Sequence, residues 1–189
     1  ERIIVLDKMV FSLHWIAMWW AAVGKFWDVL VDLRNSPMSV PLAAAKRFRF
    51  VRKREPEHRV LQLAAVMGLS EEPPTPSIWL SPQARATAKA LIPNRGPVLA
   101  VGPTANWQAK IWRAEYFVDL IKRLSGPGGI LPGARVAVFG RDDERPMALR
   151  VIDAVPEDRR IDLVGRIGLL EAGACLERAQ FYVGNDSGL

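Results

Sequence analysis

Thr104, Asn106 and Lys110 follow directly on an apolar run, 98–101, that ends in Gly102-Pro103. A hydroxyl, an amide and an ammonium at this spacing suit the oxygens of an anionic ligand, and the ammonium can offset charge developing on a departing group. Gly102 allows close backbone approach there, and Pro103 lacks the N–H to continue a ladder. A second polar set, Gly140-Arg141-Asp142-Asp143-Glu144, opens a predicted helix. Carboxylates at a helix start are favoured by the helix dipole, and one of them could also accept a hydrogen bond from a ribose hydroxyl. The third set is Gly184-Asn185-Asp186-Ser187-Gly188-Leu189, where two glycines bracket Asn-Asp-Ser. Such a tight strand-to-helix turn offers backbone N–H groups to an anion, or simply uses Asp186 as a helix cap. Each set alone is also consistent with an ordinary connecting loop, so their common placement carries the argument.

That placement follows from the pattern around them. Continuous apolar runs predict strands over 98–101, 135–139, 161–164 and 180–183, and helical spacing predicts helices over 114–124, 143–154 and 169–179. Strand and helix alternate, which predicts a doubly wound parallel α/β sheet with helices on both faces. All three polar sets then leave the carboxyl ends of strands along one sheet edge, where open α/β sheets bind ligands.

The first half reads as another crossover unit. Strands are predicted over 2–6 and 28–33, both buried, with a tryptophan-rich helix over 11–26 between them. A short helix over 39–46, a strand over 47–51 and a helix over 57–69 follow. Glu71-Glu72-Pro73-Pro74-Thr75-Pro76 is the clearest break in composition, since three prolines in four positions forbid a helix. Next comes a helix over 81–91, with Ser81 as N-cap and Pro82 at its first position. The expected organisation is therefore 1–80, a connecting helix within 81–93, and 94–189.

Composition narrows the function classes. With 50% hydrophobic and 24% charged residues the 189-residue chain is an ordinary globular one, so disorder is not expected. Its one cysteine, Cys175, excludes an internal disulfide and a cysteine-based zinc site, and fits a reducing compartment. Net charge is +6, and the excess lies in the first half, where seven cations between Lys46 and Arg59 face only Glu55 and Glu57. Such a run is a solvated face or a meeting point for an anionic partner. Alternation of Arg47, Phe48, Arg49 and Phe50 is what a half-buried strand produces, and no nucleic-acid-binding signature accompanies it. The uncharged stretch 9–24 is too short to span a bilayer and suits a helix resting on a core or a membrane surface. No dinucleotide fingerprint, Walker loop or metal-ligand cluster is present, and His14 and His58 stand isolated on predicted helices.

The blocks "GPTANWQAKIWRAEYFVDLIKRL", "VFGRDDER", "IDLVGRIGLLEAGACLERA" and "FYVGNDSGL" resemble, in order and spacing, the carboxyl-terminal nucleotide-sugar domain of glycosyltransferase family 9, the lipopolysaccharide heptosyltransferases. "ERIIVLDK", "FWDVLVDLRNS" and "HRVLQLAAVMGL" are similar to the later part of its amino-terminal acceptor domain. The resemblance implies a GT-B fold of two Rossmann-like domains, both incomplete in this chain. It implies inverting, metal-independent transfer of a heptose or related sugar from an ADP-activated donor to a lipopolysaccharide inner-core acceptor. No cofactor is implied, the ADP-sugar being a substrate. Among site residues, Thr104, Ala105 and Asn106 would line the diphosphate and Lys110 would offset leaving-group charge. Glu144, or Asp143 in its place, would face the ribose. Asp186 would hold the donor sugar or its phosphates, with backbone donors from Ser187 and Gly188. Implied partners are the donor and an anionic, lipid-linked oligosaccharide, with peripheral contact on the inner face of the cytoplasmic membrane and no nucleic acid.

Departures bear on activity. The family's amino-terminal Gly-Asp loop, expected to carry the general base, would lie upstream of Glu1; the His that usually follows Gly-Asn-Asp-Ser-Gly-Leu would lie beyond Leu189; and Arg113 stands where Pro is usual. The chain thus reads as a piece of a longer protein, expected not to catalyse transfer by itself. The other readings are a non-catalytic nucleotide-binding α/β module and, more remotely, a basic nucleic-acid-binding protein.

Overall fold

The computed structural model describes residues 4, 7, 9–51 and 57–186, and the chain divides into two compact units, Glu1–Ser77 and Ile78–Leu189. The predicted strand over 2–6 falls almost wholly outside the described residues.

In the first unit a 3-10 turn, Val10–Ser12, leads into helix α1 (His14–Ala22), followed by strands β1 (Trp27–Asp32) and β2 (Ala44–Arg49) and helix α2 (Arg59–Val66). The two strands pair in parallel, with Trp27 opposite Ala44 and Asp32 opposite Arg49. Two expectations fail here. The predicted helix over 39–46 is instead a 3-10 turn, Pro37–Ser39, and the first half of β2. Three consecutive alanines favour a helix, but the ladder with β1 outweighs that small local preference. Nor is β1 buried: Val29 and Val31 are 48% and 43% exposed, because the described sheet has only two strands and leaves that face open.

Asp32, at the end of β1, is buried and shapes the loop that follows. Its Oδ2 accepts from Ser39 Oγ at 2.6 Å and its Oδ1 from the Arg34 N–H at 3.0 Å. Burial pushes this carboxyl up, but the Ser39 hydroxyl and the loop N–H groups outweigh that and hold it below the usual range. Part of the basic run is likewise spent on structure. Arg47 donates to the carbonyls of Ser39 and Leu42, Arg49 donates to Asn35 Oδ1, and the Arg59 guanidinium covers the buried Phe50 ring at 4.3 Å. Both histidines accept from backbone N–H groups. His14 Nδ1 accepts from the Met9 N–H, and His58 Nδ1 faces the Val60 N–H at the head of α2. Among the described residues no helix is long and apolar enough to cross a membrane.

The second unit runs α3 (Pro82–Leu91), β3 (Val98–Gly102), α4 (Ala114–Ser125), β4 (Arg135–Val138), α5 (Arg145–Ala154), β5 (Arg160–Asp162), α6 (Leu169–Leu176) and β6 (Phe181–Gly184). Its four strands are parallel, in the order β5-β4-β3-β6. Alternation along the strands divides the core. Leu99, Val101, Val136 and Val138 pack with Phe117 and Ile121 of α4 and Val151 and Ile152 of α5. Val98, Ala100, Ala137 and Phe139 pack with Ala84 and Ala88 of α3 and Ala172, Ala174 and Cys175 of α6. Covered on both faces, these strands need no polar side, which is why they read as unbroken apolar runs. Helix α3 packs on α6, and Ser81 Oγ accepts from the Ala84 N–H at 3.1 Å as its cap.

The strand order creates a switch point. From β3 the chain moves outward to β4 and β5 with α4 and α5 on one face. It then returns through α6 on the other face to place β6 on the free side of β3. The crevice beyond the carboxyl ends of β3 and β6 is where connections diverge, and such crevices are the usual ligand sites of open α/β sheets.

Candidate functional site

At that switch point the first and third polar sets meet. Gly102 ends β3, and its carbonyl accepts from the Asn185 N–H at 3.0 Å, extending the pairing to β6. The chain then buries Thr104 and Ala105, exposes Asn106, and makes one 3-10 turn, Gln108–Lys110. This turn carries Lys110 across the crevice, where its Nζ lies 2.5 Å from Asp186 Oδ2. Two residues on, the Trp112 N–H donates to Asn185 Oδ1 at 2.9 Å. The ammonium's hydrogen bond and charge hold the Asp186 carboxyl below its usual range. Asp186 is 90% exposed and Lys110 36%, so both remain accessible to a ligand. Ser187 and Gly188 lie outside the described residues.

The first and second sets meet in the interior. Thr104 Oγ1 donates to Glu144 Oε2 at 2.8 Å, and the Arg141 N–H donates to the same oxygen at 3.0 Å. Both side chains are buried. Gly140 packs closely on this contact, and a Cβ there would stand 3.2 Å from Thr104 Oγ1. A hydroxyl has one proton, and that of Thr104 is committed to Glu144, so its side chain has no donor left for a phosphate oxygen. Glu144 points into this contact, whereas Asp143 is exposed and pairs with Arg141 at 2.7 Å. Among the described residues, no backbone carbonyl takes the N–H groups of Thr104, Ala105 or Asn106. Loop N–H groups without a carbonyl partner suit an anion.

The room at Gly102 has another use than the expected approach of a ligand. A Cβ at Gly102 would sit 2.4 Å from the Tyr182 hydroxyl, and one at Gly184 2.1 Å from it. The two glycines form a slot for that phenol, and burial there pushes the Tyr182 hydroxyl pKa up.

Beside Glu144, a cavity of about 350 Å³ opens at the carboxyl ends of β4 and β5, lined by Phe139, Gly140, Arg141, Leu163, Ile167 and Ala172. Gly165 closes it at φ +70°, where a Cβ would lie 2.6 Å from Asp142 Oδ1. Its walls are fastened by a link absent from the sequence reading. Arg145, at the start of α5, lies 2.5 Å from Asp162 Oδ2 and donates to the Val164 carbonyl at 2.9 Å. Burial raises the Asp162 carboxyl, but Arg145, the Val164 N–H and Arg166 together hold it low. Asn185 was also missed as a linking residue. The available signal was position, since Asp162 ends a strand and Asn185 immediately follows one. A cavity of similar volume, about 330 Å³, lies at the opposite edge of the sheet around Lys122, Val136 and Arg159, away from all three sets. Among the described residues no group of three His, Cys, Asp or Glu side chains is placed to hold a metal ion.

A polar edge built on a parallel sheet in this way invites comparison with known proteins. The family model described as glycosyltransferase family 9 (heptosyltransferase) matches residues 35–189. The chain belongs to glycosyltransferase family 9. Two solved structures share the fold of this family 9 chain. A glycosyl transferase family 9 protein from Veillonella parvula is 19% identical with a TM-score of 0.69, the match covering 100% of this chain and 61% of that one. The ADP-heptose lps heptosyltransferase II of E. coli is 18% identical with a TM-score of 0.61, covering 93% and 60% respectively. The family 9 chain therefore has the parallel α/β architecture of GT-B heptosyltransferases, and spans about three-fifths of the length of these two structures. A comparison with curated proteins finds no match.

Proposed function

We propose that this family 9 chain carries the donor-binding part of an inverting glycosyltransferase that moves a heptose from an ADP-activated donor to a lipopolysaccharide inner-core acceptor without a metal ion. The observation that carries this reading is the Lys110–Asp186 pair across the β3/β6 switch point. In such a transfer the acceptor oxygen attacks the anomeric carbon from the face opposite the diphosphate, so that bond formation and departure of ADP invert the centre. Negative charge grows on the departing diphosphate, and a cation fixed beside it stabilises the transition state more than the ground state. Lys110 takes that role, exchanging part of its contact with Asp186 for the diphosphate. The N–H groups of 104–106 add donors, and Thr104 acts through its backbone while its hydroxyl holds Glu144. Asp186 then faces the sugar hydroxyls, and the cavity at Phe139 and Ile167 takes the nucleoside, with Asp143 and Glu144 on the loop that borders it. The acceptor is lipid-linked, and the exposed Phe11, Ile16 and Trp20 of the α1 region suit peripheral contact with the cytoplasmic membrane surface.

Calorimetric titration tests the donor site. ADP should bind at least about tenfold more tightly than adenosine, and Lys110→Ala should remove most of that difference. Equal binding of ADP and adenosine, or an unaltered ADP affinity in Lys110→Ala, would sink the assignment. Transfer from ADP-heptose to a deacylated core acceptor by the protein that contains this chain separates an enzyme from a nucleotide-binding module.

A further inference from the structure

The face of α4 turned away from the sheet does not have the composition of a simple solvated surface. Tyr116, Asp119, Leu120 and Arg123 fall at i, i+3, i+4 and i+7, one stripe of the helix, while Phe117 and Ile121 point into the core. With Trp112, just before the helix, they line a groove of about 310 Å³. The Trp112 and Tyr116 rings lie 5.4 Å apart, tilted by 35°. Trp112 is held from behind, its ring edge-on to Phe117 at 5.2 Å and its backbone N–H bound to Asn185. Trp112 and Tyr116 are 44% and 45% exposed, as rings packed on one side and open on the other would be. Asp119 and Arg123 flank them, and neither has an ion-pair or side-chain hydrogen-bond partner among the described residues.

We infer that this stripe is a saccharide-binding groove, distinct from the Lys110–Asp186 corner, that takes an uncharged pyranose unit. The electron-rich faces of Trp112 and Tyr116 attract the slightly positive C–H face of a sugar ring. Asp119 accepts from ring hydroxyls and Arg123 donates to them, so the ring's edge is satisfied by groups that have no other partner. Opposite charges on the two flanks cancel, which favours a neutral, hydroxyl-rich ligand over an anionic membrane. The groove begins two residues beyond Lys110, so a bound glycan would lie next to the proposed donor corner. In that sense the inference rests on the proposed sugar transfer, although its test needs no donor.

The test is saturation-transfer NMR on the full chain with mannotriose as the neutral probe. Ring protons of the sugar should receive saturation from the protein, with millimolar affinity. Tyr116→Ala and the isosteric Asp119→Asn should each weaken binding by about fivefold or more while ADP affinity stays within about twofold. The inference is overturned if mannotriose shows no transfer at tens of millimolar, or if both variants bind it like the parent. It is equally overturned if the groove variants lose binding to anionic phospholipid vesicles but not to the sugar. Failure of ADP to bind, with mannotriose binding intact, would count against the donor site alone.

Discussion

Replacing Thr104 by Val keeps the branched shape of the side chain and removes one hydroxyl, which isolates the bond to Glu144. Thr104 is 5% and Glu144 7% exposed, and the bond between them is 2.8 Å long. Hydrogen bonds to charged groups contribute about 1.5–3 kcal/mol, and solvent has little access to replace this one. Glu144 keeps the Arg141 N–H, so the loss stays within that range. The second unit, Ile78–Leu189, has 112 residues, and at roughly 2.1 cal/mol/K per residue its unfolding entropy is near 0.24 kcal/mol/K. Its melting temperature should therefore fall by about 6–13 °C, read by far-UV circular dichroism. Because the Thr104 proton is already committed, ADP affinity should change by less than about threefold in a parallel calorimetric titration. A variant that melts like the parent yet binds ADP about tenfold more weakly would refute the reasoning. It would place the hydroxyl on the ligand and leave Glu144 to other partners.

Three further outcomes follow from the packing. Asp162 is held below its ordinary value of about 3.9, so its contribution is complete above that value and is lost as pH falls through the lower folded-state pKa. Asp162→Asn should then be less stable than the parent at neutral pH and lose less on acidification below about pH 4; parallel acid-unfolding curves would contradict this. Ser81→Ala should cost about 1 kcal/mol by leaving the Ala84 N–H uncapped, a drop of roughly 4 °C in melting temperature. Cys175 is fully buried and its thiol is pushed up by burial, so an aromatic disulfide reagent should label it only after unfolding in urea. Rapid labelling of the native chain would mean that the α6 side of the core is open.

Much of the second unit was legible because its local and global signals agree. Val98–Gly102 and Arg135–Val138 are strands covered on both faces, so burial wrote them as apolar runs found within a residue or two of their true ends. Phe181–Gly184, an edge strand of the described sheet with Phe181 and Tyr182 exposed, was found as closely from its aromatic and β-branched residues. Ser81-Pro82 announced α3 because capping is a property of adjacent residues. The polar sets were visible for the same reason, as breaks at strand ends. Where signals conflicted, local preference misled: Ala44 and Ala45 became the start of β2 because a partner strand was at hand. Tertiary structure alone decided which of the candidate site residues meet. Thr104 and Glu144 are 40 residues apart, and Lys110 and Asp186 are 76 apart. The first pair meets because β3 lies beside β4, and the second depends on β6 inserting beside β3 rather than beyond β5, a choice made by which helix covers which face. No short stretch of chain encodes that choice. The same insertion fills the slot of Gly102 and Gly184 with Tyr182, and sets Asn185 to hold the loop that carries Lys110 and Trp112. Residue types named the chemistry available, and strand order determined which of those residues face one another.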